Sequence, residues 1–220
     1  MLCGHMGKDG GGVNPLRGQN NVQGASDVGL IPMVFPDYQR VDDPRQRARF
    51  ERLWGRTLDP QPGLTVVEIM HAVHAGQVRG MYIMGENPAM SDPDVAHARA
   101  ALARLDHLVV QDIFLTETAN FADVILPASA WTEKSGTVTN SERCISRQRA
   151  FLDAPGDAKP DWWAVCEVAK RLGHAGFEYA GPAEIFSEHV ALSTYRNGGS
   201  RDFDLGGLVA LRLAKQVAPH

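Results

Sequence analysis

Cysteine is scarce. The 220 residues hold three, Cys3, Cys144 and Cys166, and no two stand at CxxC spacing. Three thiolates cannot complete a four-cysteine iron–sulfur or zinc site, and an odd, scattered set is no disulfide framework. All three read as free thiols, with Cys166 buried in a helix. No apolar run reaches the roughly 20 residues of a membrane-crossing helix, and MLCGHMGKDGGG lacks the apolar core of a signal peptide. The expectation is a cytoplasmic protein without membrane insertion. A Walker A pattern and a G-x-G-x-x-G are both missing, which disfavours a P-loop or a dinucleotide fingerprint site. The net charge of -4 gives no pull toward nucleic acid, and no nucleic-acid partner is expected.

What is present is ordinary in bulk and unusual in one place. Hydrophobic residues make up 44% and charged residues 22%, as in globular proteins. Residues 1–40, however, are rich in Gly, Asn and Pro. VNPLRGQNNVQGASDVG sets Arg17, Gln19, Asn20, Asn21, Gln23 and Asp27 among glycines. This leader reads as an irregular, polar-lined segment rather than a core element.

From Asp42 the pattern becomes regular. Asp42 to Trp54 is predicted as a surface helix. Thr65 and Glu68 form a capping box for a helix that runs to Gly76. Met81 to Met84 is a short buried strand that ends in Gly-Glu-Asn-Pro. Asp92 and Pro93 are read as the N-cap and first position of the next helix, whose Val95, Ala98, Leu102 and Leu105 make one apolar stripe. HLVVQDIF and ADVILPAS are further strands, and DWWAVCEVAKRLG and PAEIFSEHVALS are amphipathic helices. The segment after Asn197 reads as a frayed helix or as the effect of where the chain stops. Strand alternating with helix predicts an α/β fold, doubly wound with a mainly parallel sheet. The expected organisation is a polar segment over 1–40, an α/β domain over 41–195 and a tail over 196–220.

In open α/β sheets ligands bind beyond the carboxyl ends of the strands. Three strand ends here carry polar loops: Gly85-Glu86-Asn87-Pro88, then Gln111-Asp112 with Thr116 and Thr118, then Pro127 and Ser129 before EKSGTVTNSER. Such groups can bond phosphate, ribose or a purine edge. Each loop alone is also plain turn chemistry; three in succession make a nucleotide-bearing ligand an equal reading. His71, His74 and His97 read as surface or packing residues, and Trp162-Trp163 as packing. No metal ligand is assigned. Arg17, inside an amide-rich loop, can clamp a small carboxylate or oxyanion with two parallel hydrogen bonds.

NPLRGQNNVQGASDVG, YIMGENPAMSDPD, LVVQDIFLTETANFADVILPASAWTEKSGTVTNSER and DWWAVCEVAKRLG resemble, in order, successive segments of the molybdopterin oxidoreductase family. The likeness covers residues 7 to 195, and RGQNNVQG resembles the formate dehydrogenase alpha-subunit branch. It implies a molybdenum or tungsten ion held by two molybdopterin guanine dinucleotides, which accounts for a nucleotide site without a P-loop. It implies that Arg17 holds formate beside the metal with Gln19 nearby, and that Gly85, Glu86, Asn87, Pro88, Gln111, Asp112 and Thr116 contact the cofactor. Glu133, Gly136, Thr137 and Asn140 match the family's E-x-x-G-T-x-x-N pattern and are carried over with them. The implied activity is two-electron oxidation of formate to carbon dioxide, with electrons passed to iron–sulfur or flavin subunits.

The family's four-cysteine [4Fe–4S] segment, its metal-ligating cysteine or selenocysteine and its carboxyl-terminal barrel have no match in this sequence. The resemblance therefore implies an internal piece of a longer chain, inactive alone and completed by the missing domains of the same subunit. TNSERCISRQRAFLDAPGDAKPDWW and EHVALSTYRNGGSRDFDLGGL are more similar to assimilatory nitrate reductases of the same superfamily. Two alternatives follow: oxygen-atom transfer from nitrate, and a non-catalytic cofactor-binding fragment.

Overall fold

The computed structural model describes residues 2–12, 16–141 and 144–192. The expectations for Val13–Pro15, Arg143 and everything after Leu192, the tail included, lie outside the described residues. The chain forms two compact units. One contains Met1–Pro60, Thr137–Arg147 and the end of the last helix from His189; the other contains Gln61–Gly136 and Gln148–Glu188.

The first unit is less irregular than its composition suggests. It opens with a short helix, α1 (Val22–Asp27). Asn21 precedes α1 in the left-handed conformation and makes no side-chain cap; its Oδ1 instead accepts the Thr139 backbone N–H at 2.9 Å. A Cβ on Gly24 would collide with the Asn21 side chain held in this way, so only glycine fits there. A small antiparallel hairpin follows, β1 (Val34–Phe35) with β2 (Gln39–Arg40). Its turn holds Asp37 and Tyr38 at φ near +60°, a strained region for residues with a Cβ, costing on the order of 1 kcal/mol or more each. Then comes the helix expected from Asp42 onward, α2 (Pro44–Trp54). Asp43 caps it, accepting from Arg45 N at 2.8 Å and Gln46 N at 3.3 Å, and Gly55 ends it in the left-handed conformation. Phe50 is fully buried, stacked on Phe35 at 4.4 Å between centroids and tilted against Trp54 at 5.2 Å.

The second unit is the parallel α/β part. Its first helix, α3 (Val66–His74), has the capping box read from the sequence: Thr65 N donates to Glu68 Oε2 at 2.7 Å and Glu68 N to Thr65 Oγ1 at 3.5 Å. The hydrogen bond from the Thr65 backbone holds the Glu68 carboxyl below its ordinary range. Three strands, β3 (Gly80–Met84), β4 (His107–Asp112) and β5 (Val124–Pro127), form a parallel sheet in sequential order. The register sets Ile83 beside Val110 and Val110 beside Ile125. Between β3 and β4 lie a one-turn helix, α4 (Pro88–Ser91), and α5 (Val95–Leu102).

Here the start read from the sequence is too early. Asp94, not Asp92, caps α5 through His97 N, because the Asp92 side chain is taken by Asp94 N at 2.9 Å. The apolar stripe holds: Ala98 and Leu102 are buried, with Val95 and Leu105 half-buried. Ile83, Leu102, Leu108 and Val110 form one core cluster, and Met70, Val73 and Ala101 a second between α3 and α5. Each fully buried aliphatic side chain contributes about 1.5–3 kcal/mol of transfer free energy.

The remaining described residues include a strand pair, β6 (Gly136–Thr139) and β7 (Ile145–Gln148), and two helices, α6 (Asp161–Arg171) and α7 (Pro182–Leu192). Cys166 is buried in α6, and burial pushes its thiol up, so it is a packing residue rather than a nucleophile. No helix of the described residues is long and apolar enough to cross a membrane.

Candidate functional site

Parallel strands leave their carboxyl-terminal residues with the next connection to build, and that end of the sheet opens into a groove. Beyond β3, β4 and β5 the groove encloses about 380 Å³. Gly85 leads in from β3, Gln111 and Asp112 from β4, and Ser129 and Trp131 from the loop after β5; Lys134 and Asp161 close the far side. The loop after β5 is fixed from below by a parallel bridge between Ala128 and Lys159, with Ser129 N donating to Lys159 O at 2.9 Å. That bridge brings the first residue of α6, Asp161, to the sheet.

Gln111 is almost completely buried and its amide is engaged at both ends. The Tyr82 hydroxyl donates to its Oε1, and its Nε2 donates to Asp161 Oδ1 at 2.7 Å. Asp161 Oδ2 in turn is paired with Lys134. Burial, and then the Asp161 carboxylate, push the Tyr82 phenol up, so it stays a hydroxyl donor at neutral pH. Asp112 turns one oxygen, Oδ1, back onto the Ile113 N–H at 2.7 Å. Gly85 sits at φ +65°, and no atom lies within 4 Å of the place a Cβ would take, so the space beside the chain is open there. Ser129 has no exposed surface, and its Oγ has no partner. A buried hydroxyl without a hydrogen bond costs about 1–3 kcal/mol, and a polar ligand atom in the groove would remove that cost.

Of the residues read from the sequence at the strand ends, Gly85, Gln111, Asp112 and Ser129 line this groove. Asn87 shapes the neighbouring loop: its Oδ1 accepts from Thr118 N at 3.1 Å and Thr118 Oγ1 at 2.7 Å, and its Nδ2 donates to Glu117 at 2.7 Å. Pro88 begins α4, and Glu86 is exposed beside it. Thr116 Oγ1 accepts from Ala119 N at 3.3 Å, and Glu133 Oε2 from Ala130 N at 2.8 Å; both hold turns. Gly136 opens β6 and Thr137 follows it. Asn140 closes the β6–β7 turn, accepting from Cys144 N at 2.9 Å. Arg17 and Gln19 are exposed in the first unit, where Arg17 Nη2 donates to Gln23 Oε1 at 3.3 Å.

Lys134, Asp161, Tyr82 and Trp131 were not singled out from the sequence. Lys134 and Asp161 are 27 residues apart, and the Ala128–Lys159 bridge draws their segments together. His71, His74 and His97 meet as packed rings, His74 and His97 at 4.1 Å and His71 and His97 at 5.0 Å. His74 Nε2 lies 3.1 Å from the His97 carbonyl, as expected of packing residues. Among the described residues no group of three or more His, Cys, Asp or Glu is placed to hold a metal ion.

Known proteins share both the sequence and this architecture. The alpha subunit of an F420-dependent formate dehydrogenase from Methanocaldococcus jannaschii is 51% identical over 189 residues, 86% of this chain and 28% of that protein. Formate dehydrogenase H of Escherichia coli is 42% identical over 189 residues, 86% of this chain and 26% of its own. A nitrate reductase of Klebsiella oxytoca is 46% identical over 216 residues, 96% of this chain and 25% of that one. The chain thus spans about a quarter of the length of these relatives. The structure of acetylene hydratase from Pelobacter acetylenicus shares the fold, with a TM-score of 0.53 at 19% identity over 71% of this chain and 23% of that one. The family description "Molybdopterin oxidoreductase" matches residues 1–171, well over half of the sequence, and the chain belongs to that family.

Proposed function

We propose that this chain is the cofactor-holding part of a molybdenum or tungsten formate dehydrogenase alpha subunit, with residues 1–40 contributing to the active site and 41–195 holding the cofactor. The observation that carries the reading is the groove at the strand ends, lined by Gly85, by the polar residues of β4 and by Ser129, whose buried hydroxyl is unpartnered. This donor set fits the nucleotide end of a molybdopterin guanine dinucleotide. Gly85 admits a phosphate close to the backbone. Asp112 offers an acceptor to guanosine, and Gln111, whose amide is engaged by Tyr82 and Asp161, orders the groove lining. Asn87, Thr116 and Glu133, with Glu86, Pro88 and Gly136, frame the loops of the same unit, while Thr137 and Asn140 rest on the resemblance alone. When bound, the cofactor supplies the two-electron redox chemistry.

The role of this chain's own groups is to bind and orient. Arg17 holds the two oxygens of formate in a planar fork, and Gln19 stands beside it. Loss of two electrons and a proton leaves carbon dioxide, which has no charge for Arg17 to retain. The electrons leave through iron–sulfur or flavin partner subunits, and the missing domains of the same subunit complete the site.

The test uses the full-length subunit. Arg17→Ala is expected to lower kcat/KM for formate on the order of a hundredfold or more, with metal and guanine content unchanged. Asp112→Ala is expected to lower guanine content instead. Unchanged formate kinetics in the first variant would overturn the assignment. A second reading, nitrate reduction, is favoured by the Klebsiella relative, whose match covers more of this chain than the formate enzymes. Nitrate is also a planar oxyanion that Arg17 could clamp. Dye oxidation driven by nitrate, with no dye reduction by formate, would select it; bound cofactor with neither activity would select a non-catalytic fragment.

A further inference from the structure

A guanidinium clamps an anion well only if it is held still, and Arg17 stands on an exposed segment next to Gly18. We infer that Gln23 is the positioning residue for Arg17, an inference that rests on the reading of Arg17 as the substrate clamp. Gln23 lies in α1 and is 8% exposed. Its Oε1 accepts from Arg17 Nη2 at 3.3 Å, and its Nε2 donates to Asp27 Oδ1 at 2.8 Å, one helical turn on. The same Nε2 lies 3.4 Å from the Tyr38 hydroxyl.

The polarity of this chain of contacts admits one arrangement. A guanidinium has five donors and no acceptor, and a carboxylate accepts only. A buried amide between them must turn its nitrogen to Asp27 and its oxygen to Arg17. Asp27 therefore fixes the orientation of the Gln23 amide, and the amide fixes one edge of the guanidinium. The unusual backbone of the β1–β2 turn belongs to this device. Tyr38 reaches Gln23 from a left-handed conformation, φ 58°, next to Asp37 at φ 60°. Strain of this kind persists where surrounding contacts determine it, often beside functional groups.

In the full-length subunit, Gln23→Leu is expected to raise the formate KM about tenfold, the size of one hydrogen bond to a charged group, with kcat changed by less than about twofold and cofactor content unchanged. Tyr38→Phe, at an exposed residue, is expected to raise KM about twofold. Gln23→Glu alone sets two carboxylates against each other and is expected to behave like Gln23→Leu or worse. Adding Asp27→Asn restores a donor facing an acceptor at the same net charge, and the double variant should recover KM to within about threefold. A merely structural role would lower folded yield and cofactor content and would not single out KM. Should Gln23→Leu fail to accumulate as folded protein, the double variant decides, and absence of rescue overturns the inference. A folded Gln23→Leu enzyme with unchanged KM also overturns it, provided Arg17→Ala has lost formate. If Arg17→Ala keeps normal formate kinetics, the clamp reading falls instead.

Discussion

In the sheet unit the fully buried large side chains are mostly aliphatic: Leu102, Leu108, Val73 and Val110. In the leader unit Phe50, stacked on half-buried Phe35, shares the interior with the amides of Gln23 and Gln39. Gln39 Nε2 donates to the Pro36 carbonyl at 2.9 Å and to the Leu192 carbonyl at 3.3 Å. Apolar burial is non-directional and tolerates small shifts, whereas a buried amide is worth its place only with every partner met. The sheet unit is therefore a scaffold whose stability scales with area, and the leader unit is a geometry whose stability depends on polarity.

Leu108→Ala, at the centre of the sheet, tests the first half of that contrast. It is expected to cost about 2–4 kcal/mol in chemical denaturation; a loss below about 1 kcal/mol would break the comparison. Asn87→Ala probes one of the polar exceptions within the sheet unit, beside those at Gln111 and Ser129. It strands the N–H and hydroxyl of fully buried Thr118, and an expected loss of about 1–3 kcal/mol would be recovered in part by Asn87→Asp, which keeps an acceptor. Glu117 reports on the same contact. The Asn87 amide holds its carboxyl below the ordinary range, so the contribution of the pair is present above the ordinary carboxylate value and fades as acid reaches the lower folded value.

A smaller effect separates the units by pH. Burial pushes the His189 imidazole of the leader unit below its ordinary value of 6.5, partly offset by Asp37 and Asp27. The unfolded chain then takes up a proton that the folded one refuses. Stability should fall as pH drops from about 6.5 toward the lower folded value and then level off. Hydrogen exchange followed against pH would show protection lost first around α1 and the β1–β2 hairpin; equal loss in β3–β5 would count against the contrast.

The sheet unit was legible because its signals are local. The Thr65–Glu68 box, the apolar strands and the α5 stripe each depend on residues a few positions apart. The start of α5 was misread because Asp92 and Asp94 flank Pro93 and either can cap; the choice is made by a hydrogen bond between them. The one-turn helix α4 has too few residues to show a period. At the groove, the polar strand ends point to Gly85, Gln111, Asp112 and Ser129, and the resemblance adds what the first three would contact. Lys134 and Asp161 stayed hidden, since no local pattern records the Ala128–Lys159 bridge that joins them. In the leader, the composition gives no sign that Asn21 and Gln23 have partners far along the chain: Thr139 in one case, Tyr38 in the other.

Gly85 carries a consequence in terms of handedness. Its φ of +65° is the mirror image of an ordinary helical residue, and no neighbour stands where a Cβ would project. Volume excludes nothing at this place; chirality does. A D-alanine built in by chemical ligation should be accepted by the turn where L-alanine strains it, keeping the Gly85 N–H on the Gln111 carbonyl at 2.9 Å. The two mirror-image methyl groups would thus separate what the groove needs from its backbone path and what it needs from bare space.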